Sequence, residues 1–238
     1  MEKIIKIGVY GDSIMRATVP DENLRYHFRM GQFMERLKGL PLKVVNRARF
    51  GATVTRGETL LEKDLVKGAA YDVALIEYGG NDCDYDWEEV AADPTGTHLP
   101  HTELPRFVQT VEKMADALRA QGTRPVLMTL PPIDARRYFE HIISKGVNRE
   151  NLLLWLGDIN MIYRFHELYS NAIERLAAHK NLLCVDVRSA FLARRDCARL
   201  ISRDGIHPTS AGYRLIYRQL LTSVRRFGKS QFSAASQD

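Results

Sequence analysis

The stretch Ile4-Ile5-Lys6-Ile7-Gly8-Val9-Tyr10-Gly11-Asp12-Ser13 runs from an apolar segment straight into a polar, glycine-marked turn. Ile4–Tyr10 has the length of a strand, and lysines interrupt the N-terminus too often for the apolar core of a signal peptide. It reads as the first strand of a buried sheet, in a chain expected to stay in the cytoplasm. Four more short runs rich in Val, Leu or Ile come later, at Leu42–Asn46, Val73–Tyr78, Pro125–Leu130 and Leu182–Val187. Strands of a parallel sheet covered on both faces have this near-continuous apolar character. Helix-length segments lie between them, the first read over Arg25–Lys38. In the clearest, Phe107, Val111, Met114 and Leu118 recur at offsets of four, three and four and so share one face, before Gly122 and Pro125 stop it. Such alternation makes right-handed βαβ units. The expected fold is therefore an α/β three-layer sandwich, a five-stranded parallel sheet between helices. Chemistry in these sheets gathers at the carboxyl ends of the strands.

With 238 residues, 45% hydrophobic and 26% charged, the chain has an ordinary globular balance and enough apolar material for a full core. One domain is expected over residues 1–226, with the polar, small-residue-rich segment 227–238 as a flexible tail. No run approaches the ~18 apolar residues of a membrane span, so no membrane partner is expected. Cys83, Cys184 and Cys197 are odd in number and scattered, as reduced structural thiols are. The net charge of +5 is uneven: between Arg188 and Arg226 stand nine arginines against Asp196 and Asp204. That run is read as a solvated helix face with ion pairs to the more acidic first half. No nucleic-acid-binding motif accompanies it, and nucleic acid is not the expected partner. Two connections are unusually long. Cys83–Pro105 is read as an irregular loop beside the site. Pro131–Asn181 is read as two helical pieces whose aromatics are either core or the wall of a substrate pocket.

The strands give way to polar turns punctuated by glycine. The first ends in Gly11-Asp12-Ser13-Ile14, and the second leads to Asn46-Arg47-Ala48-Arg49-Phe50-Gly51. The third runs into Gly79-Gly80-Asn81-Asp82, and Asp204-Gly205-Ile206-His207-Pro208 precedes the last helix. These segments resemble, in order, the four sequence blocks of the SGNH (GDSL-type) hydrolase superfamily, and they span Gly8 to Gly212. One departure is Ala48, where members of that superfamily often carry an earlier glycine; Gly51 itself matches.

The residues make chemical sense together. A serine hydroxyl is a poor nucleophile until a base takes its proton, and histidine suits that task near neutral pH. Asp204 lies three residues before His207, so one turn of chain can bring its carboxylate to the imidazole and fix the tautomer. The resemblance implies Ser13 as nucleophile, His207 as base and Asp204 as the third member. It also implies an oxyanion hole from the Ser13 and Gly51 N–H groups and the Asn81 side chain, and a strand order of 2-1-3-4-5. The expected activity is hydrolysis of a small-molecule carboxylic ester, of small acyl group and on a sugar or other small alcohol, without a cofactor. An acyltransferase using the same site, and a non-catalytic binding module on the same fold, are the alternatives. A metal is not expected. Asp82-Cys83-Asp84-Tyr85-Asp86 imitates the start of a calcium loop but has Trp87 where glycine belongs, and His98 and His101 lack a third ligand.

Overall fold

The computed structural model describes residues 4–35 and 37–234, with residues 225–234 as backbone alone. The strand β1 (Ile5–Gly11) is followed by a small hairpin of β2 (Thr18–Pro20) and β3 (Tyr26–Phe28), and then by α1 (Met30–Glu35). Next come β4 (Leu42–Asn46), α2 (Val54–Val66), β5 (Val73–Glu77), α3 (Trp87–Ala92), α4 (Leu104–Ala120) and β6 (Arg124–Met128). The chain continues through α5 (Ala135–Ile143), α6 (Arg149–Leu156), α7 (Asn160–His179), β7 (Leu183–Val185), α8 (Arg188–Leu192) and α9 (Ser210–Ala234). Residues 235–238, the end of the expected tail, lie outside the described residues. No helix among the described residues is long and apolar enough to cross a membrane.

Five strands form one parallel sheet in the order β4-β1-β5-β6-β7, which in chain order is the expected 2-1-3-4-5. Neighbouring side chains along each strand face opposite layers. Tyr10, Ile76 and Leu127 pack with α2, α4 and α7, whereas Val9, Leu75 and Val126 pack with α8 and α9. The helix read from Phe107, Val111, Met114 and Leu118 is α4, and all four are at most 2% exposed. Burying side chains of this size is worth roughly 1.5–3 kcal/mol each. A third cluster, built from α3, α5, α6 and the start of α7, caps the carboxyl end of the sheet.

Three readings need correction. Arg25–Lys38 is not one helix: Tyr26–Phe28 pairs with Thr18–Pro20 as a strand, and among the described residues of that stretch only Met30–Glu35 is helical. The chain turns at Asp21, whose side chain accepts from the N–H groups of Asn23 and Arg25. Cys83–Pro105 is not irregular throughout, because Asp86 caps α3 by accepting from Glu88 and Glu89 N–H. Pro131–Asn181 holds three helices rather than two. Within the Arg-rich run, Arg188 departs from a solvated face. It is 3% exposed and pairs with Glu167, with the Leu130 carbonyl also accepting from it.

Candidate active site

Winding reverses at β1: the chain goes outward to β4 and then returns to β5 on the other side. Open α/β sheets form their crevice at such a switch point. β1 ends at Gly11, and Asp12 then closes a tight turn, its Oδ1 accepting from the Ile14 N–H at 2.8 Å. That turn presents Ser13, 7% exposed, at the carboxyl edge.

Beside it, the loop after β4 keeps pairing along β1, with Arg47 N–H donating to the Val9 carbonyl and Arg49 N–H to that of Gly11. Asn46 Oδ1 accepts from Ala48 N–H at 2.9 Å, so alanine fits the turn. Gly51 comes next at φ +67°, a left-handed conformation that favours glycine, with open space where a Cβ would stand. The Ser13 and Gly51 N–H groups donate to no backbone carbonyl among the described residues.

The loop before α9 supplies the partners. Asp204 is fully buried and its Oδ1 accepts from the N–H groups of Ile206 and His207, both at 3.1 Å. Its Oδ2 lies 2.6 Å from His207 Nδ1, and His207 Nε2 lies 2.9 Å from Ser13 Oγ. With Nδ1–H donating to the carboxylate, Nε2 is the acceptor for the serine hydroxyl; the tautomer is set by this network. Burial works to raise the Asp204 pKa, but the bond to His207 and the two N–H donors outweigh it and hold it below the ordinary value.

Asn81, after β5, also reaches the site. Its amide donates to Asp12 Oδ2 at 2.9 Å and to the Ala52 carbonyl at 3.2 Å. The folded-back segment holds it there, with His101 Nδ1 lying 2.9 Å from the Asn81 carbonyl oxygen and Thr102 N–H donating to that of Asp82. Asp82 is fully buried and accepts from Val54 N–H at the start of α2; burial pushes its pKa up to about 6. Cys83 is a buried thiol whose Sγ–H donates to the Gly80 carbonyl. His98 is placed on the Asp93 carbonyl. No group of three or more potential metal ligands occurs among the described residues.

The structure thus brings Ser13, Gly51, Asn81 and His207 to one cavity of about 250 Å³, with Asp204 buried behind His207. It adds walls that sequence reasoning missed. Tyr26 of the hairpin and Phe50 flank the His207 ring at centroid distances of 5.1 and 6.1 Å, the second nearly parallel at 12°. The signal that could have found the hairpin is Pro20-Asp21-Glu22-Asn23, a run rich in turn formers just before the segment read as a helix. Phe165 and Tyr138, from the long segment, also border the cavity.

Comparison with known proteins identifies the family and the fold. The model of the GDSL-like Lipase/Acylhydrolase family matches residues 9–215. A GDSL esterase/lipase of Arabidopsis thaliana is 23% identical over 92% of this chain and 78% of its own. An isoamyl acetate-hydrolyzing esterase of Saccharomyces cerevisiae is 22% identical over 93% and 87%. Among solved structures, a lipase/acylhydrolase from Enterococcus faecalis superposes with a TM-score of 0.64 at 19% identity, covering 92% of this chain and 95% of that one. An acetylxylan esterase variant from Geobacillus stearothermophilus gives 0.64 at 20% identity, over 93% and 94%. With its match running through all four blocks, this chain belongs to the GDSL-like Lipase/Acylhydrolase family and is a serine ester hydrolase.

Proposed function

We propose that the chain hydrolyses a small-acyl carboxylic ester through an acyl-Ser13 intermediate. The observation that carries this is the continuous line Ser13 Oγ–His207 Nε2 at 2.9 Å and His207 Nδ1–Asp204 Oδ2 at 2.6 Å. Ser13 Oγ attacks the ester carbonyl carbon while its proton passes to His207 Nε2, and Asp204 stabilises the imidazolium. The oxyanion takes hydrogen bonds from the Ser13 and Gly51 N–H groups. The Asn81 amide joins them by turning its weaker hydrogen, now on the Ala52 carbonyl, toward the new charge. Collapse breaks the bond to the alcohol oxygen, which leaves with the proton from His207. Water then gives a proton to His207 as it adds to the acyl carbon, and collapse breaks the bond to Ser13 Oγ, which takes that proton back as the acid is released.

A cavity of about 250 Å³ with aromatic walls suits a short acyl group better than a long chain. The yeast relative, named for an acetate ester of a small alcohol, supports the same reading. The test is a fluorophosphonate probe with an acetyl-ester assay. Labelling maps to Ser13, and Ser13→Ala abolishes both labelling and hydrolysis while keeping its melting temperature. Labelling that survives the substitution overturns the mechanism. Product analysis with an added alcohol separates hydrolysis from acyl transfer.

A further inference from the structure

The end of β5 holds a residue that this chemistry does not use. Val73-Ala74-Leu75-Ile76 is apolar, as a strand inside a covered sheet should be, but the next residue is Glu77. Glu77 is 1% exposed, and neither of its carboxyl oxygens meets full hydrogen-bond geometry; among the described residues, the one group that bears on it as a bonding partner is Asp12. Buried polar groups are nearly always satisfied, so a carboxyl this poorly bonded under a nucleophile requires a reason. Its place supplies one. Glu77 is in register with Gly11, the residue before Asp12, and it borders the same cavity as Asp12 and Ser13. Asp12, itself 2% exposed, holds two parts of the site at once. Its Oδ1 closes the Ser13 turn through Ile14 N–H, and its Oδ2 anchors the Asn81 amide. Both bonds call for an anionic Asp12, because a protonated one would set an O–H against one of those N–H donors.

We propose that Glu77 is a positioning residue of this site, acting through Asp12. As a neutral acid it leaves Asp12 the sole anion of the pair and keeps the Ser13 turn and the Asn81 amide in register; as a carboxylate it repels Asp12 and loosens both. Its effect on rate rests on the acyl-Ser13 reading, but the state of the pair does not. Burial and then the charge of Asp12 push the Glu77 pKa well above the ordinary range, whereas Asp12, also raised by burial, is at about 6. Two coupled acids whose environments separate their titrations carry one proton between them over the intervening pH range. The surrounding groups shape that window. Asp82, after β5, opposes ionisation of both, while His207, from the loop before α9, favours the Asp12 anion. Tyr213 of α9 feels both carboxyls, keeps its proton, and donates it to the Thr18 carbonyl.

Glu77→Gln tests this, because an amide keeps a neutral donor and cannot ionise. Wild-type kcat/KM should fall on the alkaline side as Glu77 loses its proton. The variant should stay within about twofold of wild type near pH 7 and lack that alkaline fall. Its melting temperature supplies a readout independent of turnover. A carboxyl with a raised folded pKa costs stability progressively as pH rises above its unfolded value, so the gain of the variant over wild type should grow as pH climbs out of the ordinary carboxylate range. An alkaline limb shared by both proteins, or a melting difference that does not change with pH, overturns the proposal. Should Glu77→Gln not fold, infrared titration of the wild-type protein decides. A protonated carboxyl band that persists above the pH at which an ordinary carboxyl ionises, and disappears in step with activity, supports it; absence of that band overturns it. If Ser13→Ala stays active, the acyl-enzyme reading fails, while the melting and infrared readouts still judge the pair.

Discussion

Gly205 sits between Asp204 and His207 at φ +80°, and a Cβ there would lie 2.6 Å from the Asp134 carbonyl oxygen and 2.8 Å from Tyr138 Cα. Both are backbone atoms at the start of α5, and neither can swing aside as a side-chain tip would. The left-handed conformation alone costs about 1–2 kcal/mol for alanine, and forcing a methyl against packed backbone adds about 1–3 kcal/mol. Gly205→Ala should therefore lose about 2–5 kcal/mol, a fall of about 4–20 °C in melting temperature for a domain of this size. The loop can relieve the clash only by moving away from α5, where Asp134 N–H now holds the Gly205 carbonyl at 2.8 Å. That movement shifts Asp204 and His207 relative to Ser13, and a displacement of this kind lowers kcat by about 10²-fold. Gly51→Ala is the control, since its φ of +67° is similar but nothing lies within 4 Å of the added carbon. It should show only the backbone cost, about 1–2 kcal/mol. The assays are thermal melting and acetyl-ester turnover of the three proteins. A Gly205→Ala protein with wild-type melting and kcat, or a Gly51→Ala protein as unstable as Gly205→Ala, would refute the packing argument.

Two further outcomes are expected. Asn81→Ala removes a donor and leaves Asp12 Oδ2 without its partner, so kcat should fall by about 10²–10³-fold with little change in KM; a wild-type kcat excludes Asn81 from the oxyanion hole. Asp204→Asn keeps an acceptor for the Ile206 and His207 N–H groups but loses the tautomer lock, so turnover should fall by about 10⁴-fold with the fold intact. Because the Asp204 pKa is held below its ordinary value, its carboxylate stabilises the fold above the unfolded-state pKa. That advantage of wild type over Asp204→Asn should shrink as pH falls through the acid range, and a stability difference independent of pH would contradict the pairing.

The parallel sheet was legible because helices cover both its faces and its strands read as short apolar runs, even the half-buried edge strand β4 with its exposed Lys43. Leu42–Asn46 was read to the residue, and the other sheet strands within two residues at each end. The site blocks were legible because each needs a residue type that packing does not explain: a serine after a glycine-ended strand, an aspartate and histidine at spacing three. The hairpin was not legible, since Tyr26 spends its apolar surface on the wall of the cavity and Phe28 against Phe50 and Arg16, rather than in the core. Phe28 remains 49% exposed, so the periodicity that marks a buried face was absent. Glu77 escaped for the opposite reason. One carboxyl at the end of an apolar strand looks like a strand boundary, and only its register against Gly11 shows it lying beneath the nucleophile.

In the mechanism proposed above, the nucleophile Ser13 and its base His207 are 194 residues apart in the chain. During synthesis Ser13 emerges with the first strand, while His207 arrives only after every sheet strand has been made. A contact of such long range forms late, because closing the loop is unfavourable until the intervening layers have packed. Hydrolytic competence is therefore a property of the completed fold. A nascent chain, or a fragment cut anywhere before the loop at Asp204, carries an exposed serine with no base to activate it and is harmless to the esters around it.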